Sequence, residues 1–131
     1  MGKHKHLILL VDDDKNFREI FSLKLKNLGF DIVEAENGVD ALNKLEQINS
    51  DLILLDVQMP LMNGVEVLLK IKSNEKFSKL KVIFLTNYGE TDEKFRETDK
   101  LFACDLGAVT YLNKSEDLND IIAEIEKAIH E

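Results

Sequence analysis

The chain has 131 residues, 44% of them hydrophobic, and carries 17 basic against 25 acidic side chains for a net charge of -8. That length suits one domain with one core, burying roughly two-thirds of the surface its unfolded form exposes. The acidic balance disfavours nonspecific binding to nucleic acid or anionic lipid, and no apolar run approaches the about 20 residues of a membrane span or the pattern of a secretory signal. Lys3-His4-Lys5-His6 reads as a solvated leader, so residues 1–6 are expected to be disordered or extended and 7–131 to form the domain. Leu7–Val11 is an unbroken apolar run, followed by a stretch in which Phe17, Phe21, Leu25 and Leu28 share one helical face and Gly29 ends the helix. Asp31–Ala35 is the second run, and Asn37-Gly38 turns into a helix carrying Leu42, Leu45 and Ile48. Leu52–Leu55 is the third, after which Asn63 caps a helix from Gly64 to about Ser73, with Glu66 three residues on. Val82–Leu85 is the fourth. The long stretch from Gly89 to Gly107 reads as helix in its second half, Phe95 to Leu106. Val109–Leu112 is the fifth. Leu118, Ile121, Ile122, Ile125 and Ile129 then recur at helical spacing, with Ser115 as the expected cap and Glu116 and Asp117 in the first turn.

Continuous apolar runs such as LILLV, LILL and VIFL belong to strands buried on both faces, the mark of a parallel sheet covered by helices. Five repeats of strand then helix imply an open α/β sheet with right-handed crossovers. The single cysteine, Cys104, makes no internal disulfide; it fits a reducing cytoplasm and is expected to be a small buried filler. The histidines, His4, His6 and His130, sit at the chain ends, which argues against a His-based catalytic triad or a buried His metal site in the body of the fold.

Ligands of such sheets bind at the carboxyl ends of the strands. There the chain carries Asp12, Asp13 and Asp14 after the first run, Asp56 after the third, Thr86 after the fourth and Lys114 near the end of the fifth. Closely packed carboxylates take up a proton or a cation. A hard divalent ion such as Mg2+ satisfies them with one or two carboxylates and several waters. A carboxylate beside that ion can attack phosphorus to form an acyl phosphate, while Lys114 and Thr86 meet the charge on the phosphoryl oxygens.

The segments LILLVDDDKNFRE, DLILLDVQMPLMNGVEVL, VIFLTN and GAVTYLNK, in this order and spacing, resemble the receiver domain of two-component response regulators. The resemblance implies a single flavodoxin-like, doubly wound five-stranded parallel sheet of order 2-1-3-4-5 with five helices. It implies Asp56 as phosphoacceptor, with Asp12, Asp13, Asp56 and the backbone carbonyl of Gln58 holding Mg2+ (or Mn2+). Thr86 and Lys114 would contact the phosphoryl group, Tyr111 would be the aromatic switch residue, and Gln58 and Tyr88 would tune phosphoryl lifetime. Asp14 reads as the cap of the first helix. The implied donor is a sensor histidine kinase or a histidine phosphotransfer protein. The implied output is contact with a downstream protein through the fourth helix, fifth strand and fifth helix, as a monomer or a phosphorylation-dependent dimer, in the cytoplasm, with no nucleic acid or membrane partner.

Three departures from the family pattern stand out. Ser115 replaces the usual proline after the lysine, which leaves the isomer of the Lys114–Ser115 peptide open. Asn87 replaces a small residue beside Thr86, and the segment from Thr86 to Gly107 is long, with TNYGE resembling a variant of stand-alone receivers. The chain ends with the fifth helix, as a single-domain regulator or a piece of a longer protein. Two other readings compete: a phosphatase of the haloacid dehalogenase type with Asp12-x-Asp14 as its DxD motif, and a receiver-like module that is never phosphorylated.

Overall fold

In a computed structural model that describes residues 5–86 and 104–130, each apolar run is a strand and each amphipathic stretch it resolves is a helix. The order is β1 (Leu7–Val11), α1 (Lys15–Asn27), β2 (Asp31–Ala35), α2 (Gly38–Leu45), β3 (Leu52–Asp56), α3 (Gly64–Ser73), β4 (Val82–Thr86), β5 (Thr110–Asn113) and α4 (Leu118–His130). The strands are all parallel, in the order β2-β1-β3-β4-β5. β3 and β4 are buried at every residue, as their unbroken apolar sequences require, whereas β2 is a half-exposed edge.

Alternation along the strands divides the core between two faces. Leu9, Val11, Ile53, Leu55 and Phe84 meet Ala41 and Leu45 of α2 and Val67, Leu68 and Ile71 of α3. Ile8, Leu10, Leu52, Leu54 and Ile83 meet Phe21 and Leu25 of α1 and Ile121 and Ile125 of α4. The chain first steps outward from β1 to β2 and then returns past β1 to β3. With one hand of crossover, reversing direction carries the helices to the opposite face. That reversal leaves a crevice between the carboxyl ends of β1 and β3.

The caps fall where the sequence places them. Asp14, Asn37 and Asn63 accept the backbone N–H groups of Phe17, Asp40 and Glu66 at 3.2, 2.8 and 2.9 Å. Gly29 takes φ +100° after α1, a conformation that other residues rarely adopt. Leu28, expected on the buried face, is instead the C-cap of α1 and is exposed, because the helix has ended before its turn comes round.

Other expectations need correction. Four helices are described, not five: the expected fourth, Phe95 to Leu106, lies mainly outside the described residues, and its described end, Cys104 and Asp105, is helical. Cys104 is exposed rather than a buried filler, since it stands on the last turn before Gly107. Asp117, not Ser115, caps α4, with Oδ1 accepting the Asn119 N–H at 2.8 Å. Ser115 is taken up by Asn113, whose Oδ1 accepts both its N–H and its hydroxyl, and Glu116 accepts the Asn113 N–H at 2.6 Å. Residues expected to start the helix therefore close the loop after β5. No described helix is long and apolar enough to cross a membrane.

Candidate functional site

Strand register decides which side chains meet at the crevice. Val11 pairs with Leu55, so Asp12 and Asp56 come level at the sheet edge. Asp56 pairs with Leu85 and Thr86 with Asn113, which brings Thr86 and Lys114 to the same edge, and the Lys114 N–H donates to the Thr86 carbonyl at 2.7 Å. One carboxylate oxygen from each of Asp12, Asp13 and Asp56 lies within 4.8 Å of the others. Asp12 and Asp56 are buried and Asp13 is exposed. The Lys114 ammonium pairs with Asp12 Oδ2 and stands 3.7 Å from Asp56 Oδ2. It also lies 4.4 Å from the centre of the Phe17 ring, whose face attracts a cation.

Asp12 is held from several sides. Its N–H donates to the Ala35 carbonyl at 3.1 Å, its Oδ1 accepts the Asp14 N–H at 2.9 Å, and its carbonyl accepts Arg18 Nη1 at 2.6 Å. Arg18 Nε is in turn 3.2 Å from Glu34 Oε1 on β2. Arg18, Glu34 and Phe17 were not singled out from the sequence as site residues. The available signal was weak: Arg18 lies four residues after the cap Asp14 and so shares its side of the helix, one turn on.

Burial, and next the Asp12 carboxylate, push the Asp56 carboxyl up from its ordinary 3.8 to about 7, against the opposing pull of Lys114 and of the Gln58 N–H. That N–H donates to Asp56 Oδ1 at 3.3 Å. A carboxylate so disfavoured takes up a proton or a cation. The donor set fits a hard divalent ion: three converging carboxylate oxygens, two of them on the buried Asp12 and Asp56, and Asp13 open to solvent for waters.

The raised carboxyl has a sign for stability. Between pH 4 and about 7 the metal-free folded chain binds a proton at Asp56 that the unfolded chain has lost. This stabilisation is complete at low pH and vanishes as pH rises through about 7. Asp56→Asn, which cannot ionise, is expected to melt near the wild type at pH 4 and roughly 5 °C or more above it at pH 8 without metal. Thermal unfolding at the two pH values checks this; equal differences at both would refute it.

The remaining sequence-predicted residues fall as follows. Thr86 is fully buried at the end of β4, and Tyr111 is buried with its ring edge-on to Phe84 at 6.3 Å between centroids. Gln58 is exposed just past β3. Tyr88 and Asn87 lie outside the described residues. No described peptide is cis, so the bond before Ser115 is trans and Lys114 still reaches both carboxylates.

The sequence matches the family model of the response regulator receiver domain over residues 8–126. It is 38% identical over 122 residues to the probable transcriptional regulator ycf29 of Pyropia yezoensis, covering 93% of this chain and 52% of that protein. It is 32% identical over 120 residues to sporulation initiation phosphotransferase F of Bacillus subtilis, covering 92% and 90%. Among solved structures, the response regulator TrrA of Thermotoga maritima in complex with Mg2+-BeF is 34% identical, with a TM-score of 0.79 over 94% of this chain and 98% of that one. The chain spans about half the length of the first curated relatives it matches, which are transcriptional regulators. The family match over residues 8–126 and the sheet order favour the receiver over the dehalogenase-type reading. With residues 8–126 inside that match and the sheet in the expected order, the chain belongs to the response regulator receiver domains of two-component signalling.

Proposed function

We propose that this receiver takes a phosphoryl group onto Asp56 from a sensor histidine kinase or a histidine phosphotransfer protein. The convergence of Asp12, Asp13 and Asp56, with Lys114 Nζ 3.7 Å from Asp56, carries this reading. Asp12, Asp13, Asp56 and the Gln58 backbone carbonyl would hold Mg2+ (or Mn2+); when bound, the ion offsets negative charge on the phosphoryl oxygens. The TrrA complex with Mg2+-BeF, at 34% identity, supports that ion. An Asp56 oxygen attacks phosphorus as the donor's phosphorus–nitrogen bond breaks, leaving an acyl phosphate and a free imidazole. Lys114 stays paired with the developing charge, and the Thr86 hydroxyl donates to it.

Drawing Thr86 towards the phosphoryl group frees space beside β4 that Tyr111 fills, shifting the balance between two conformations. The altered surface is the stretch 95–106, expected from the sequence to be helical, together with β5 and α4, offered to a downstream protein, with the chain a monomer or a phosphorylation-dependent dimer in the cytoplasm. Later loss of the phosphoryl group to water is tuned by Gln58 and Tyr88. Tyr88→Ala is expected to shorten the phosphoryl lifetime several-fold by unshielding it, read as decay of the phosphorylated form. An unchanged decay rate removes Tyr88 from this role.

Intact mass after incubation with acetyl phosphate and Mg2+ tests the acceptor. The wild type should gain one phosphoryl group and Asp56→Asn none. An addition that persists in Asp56→Asn overturns the assignment. No addition to the wild type from either acetyl phosphate or a phosphorylated histidine donor would leave an interaction module that is never phosphorylated.

A further inference from the structure

At the opposite end of the sheet from Asp56, three potential metal ligands gather that the phosphoacceptor site does not use. His6 precedes β1, Asp51 precedes the neighbouring β3, and His130 ends α4. We propose that His6, Asp51 and His130 form a second metal site, for a transition metal of the zinc class, that clasps α4 to the start of the sheet.

The spacing carries the proposal. Two ligand atoms on one tetrahedral zinc, each about 2.0–2.1 Å from it, stand about 3.4 Å apart. His6 Nδ1 and Asp51 Oδ2 are 3.6 Å apart. Two imidazoles on the same ion place their ring centres about 5.2 Å apart. The His6 and His130 rings are 5.3 Å apart, at 85° to one another. His6 Nδ1 is shielded from solvent, while His130 is exposed.

Two of the ligands sit on a rigid frame. The Leu7 N–H donates to Asp51 Oδ2 at 2.8 Å, the Asp51 N–H to the Leu7 carbonyl at 2.8 Å, and the Asp31 N–H to the His6 carbonyl at 3.0 Å. A carboxylate ligand oriented by a hydrogen bond of this kind is the usual outer-shell arrangement. Lys81 Nζ donates to the Ala128 carbonyl and holds the end of α4 nearby. Among the described residues, only Asp12, Asp13 and Asp56 already bring three ligand atoms within 4.8 Å of one another. Closing the second site therefore takes a turn of the exposed His130 side chain. Imidazole nitrogen selects zinc-like ions, and an all-oxygen set selects magnesium, so the two sites discriminate by chemistry.

The test is calorimetric titration of the full chain with Zn2+ under saturating Mg2+, which keeps the acidic crevice filled, together with thermal unfolding. One equivalent of Zn2+ should bind and raise the melting temperature. His6→Ala and His130→Ala should each weaken binding about 10-fold or more, at least the cost of losing an outer-shell partner. Both variants change one side chain near a chain end, and their metal-free unfolding shows whether they fold. Zinc binding by His130→Ala as tight as the wild type would place the ligands in the leader alone and overturn the proposal. So would zinc binding lost in Asp13→Asn but kept in His130→Ala, or no zinc binding at all.

Discussion

Replacing Lys114 with alanine is expected to slow phosphoryl uptake from acetyl phosphate about 10²–10³-fold even with Mg2+ saturating, the scale of losing one preorganised donor to a charged transition state. The side chain is only 8% exposed and sits between two carboxylates and an aromatic face. Its charge is therefore little screened by water, and no other described cation pairs with these carboxylates. A second consequence runs through stability. Without the ammonium, Asp12 is a buried charge left uncompensated, and breaking such a pair commonly costs about 3–5 kcal/mol. Mg2+ should restore most of that stability, because it supplies the missing positive charge, but not the rate. Single-turnover mass measurements with and without the substitution separate the two effects. A rate within about threefold of the wild type would show that the ion alone neutralises the transferred group.

Gly64→Ala is the other large effect. Gly64 is buried at the start of α3, and its N–H donates to the Val57 carbonyl at 2.8 Å. A methyl group there would stand 2.9 Å from Val57 Cα and press on the Asp56 carbonyl, both backbone atoms that cannot rotate away. Alanine must therefore push the end of β3 and move the Asp56 carboxylate. Overpacking of this kind costs about 1–3 kcal/mol where side chains can adjust. Against backbone, the upper end of that range or more is expected. Urea denaturation should show the midpoint falling, and a Mg2+ titration at a urea concentration where the variant stays folded should show affinity falling about 10-fold. Normal Mg2+ affinity in a destabilised variant would mean that the strain relaxes into the loop and spares the site. That loop already holds Leu61 at φ +71° with its side chain 88% exposed, so it carries some backbone strain of its own.

The strands and most of the capping were legible because they rest on local chemistry. An unbroken LILL is stable only where both faces are covered, and Asp14, Asn37 and Asn63 each reach the backbone N–H three residues on. The start of α4 was misread for a related reason. Ser115 and Asp117 are both competent caps, and the choice fell to Asn113, whose side chain engages Ser115 first. Cys104 was misplaced because a lone small residue near a helix end has no periodic partner to say which way it faces.

What the amino-acid order determined by itself was the alternation of strand and helix and the residue types standing at the strand ends. Acid at Asp12, Asp13 and Asp56, hydroxyl at Thr86 and ammonium at Lys114 follow from where each apolar run stops. Tertiary structure alone decided that these ends share one edge in register, that Arg18 and Phe17 brace them from α1, and that burial beside Asp12 lifts the Asp56 carboxyl to about 7. The same holds for His6, Asp51 and His130, which stand 45 or more residues apart along the chain and come near one another only because β1 and β3 start where α4 ends. The physical reason is common to all of these: hydrogen-bonding caps and apolar periodicity act within a few residues, whereas charge coupling and ligand convergence depend on distances that only the packed sheet establishes.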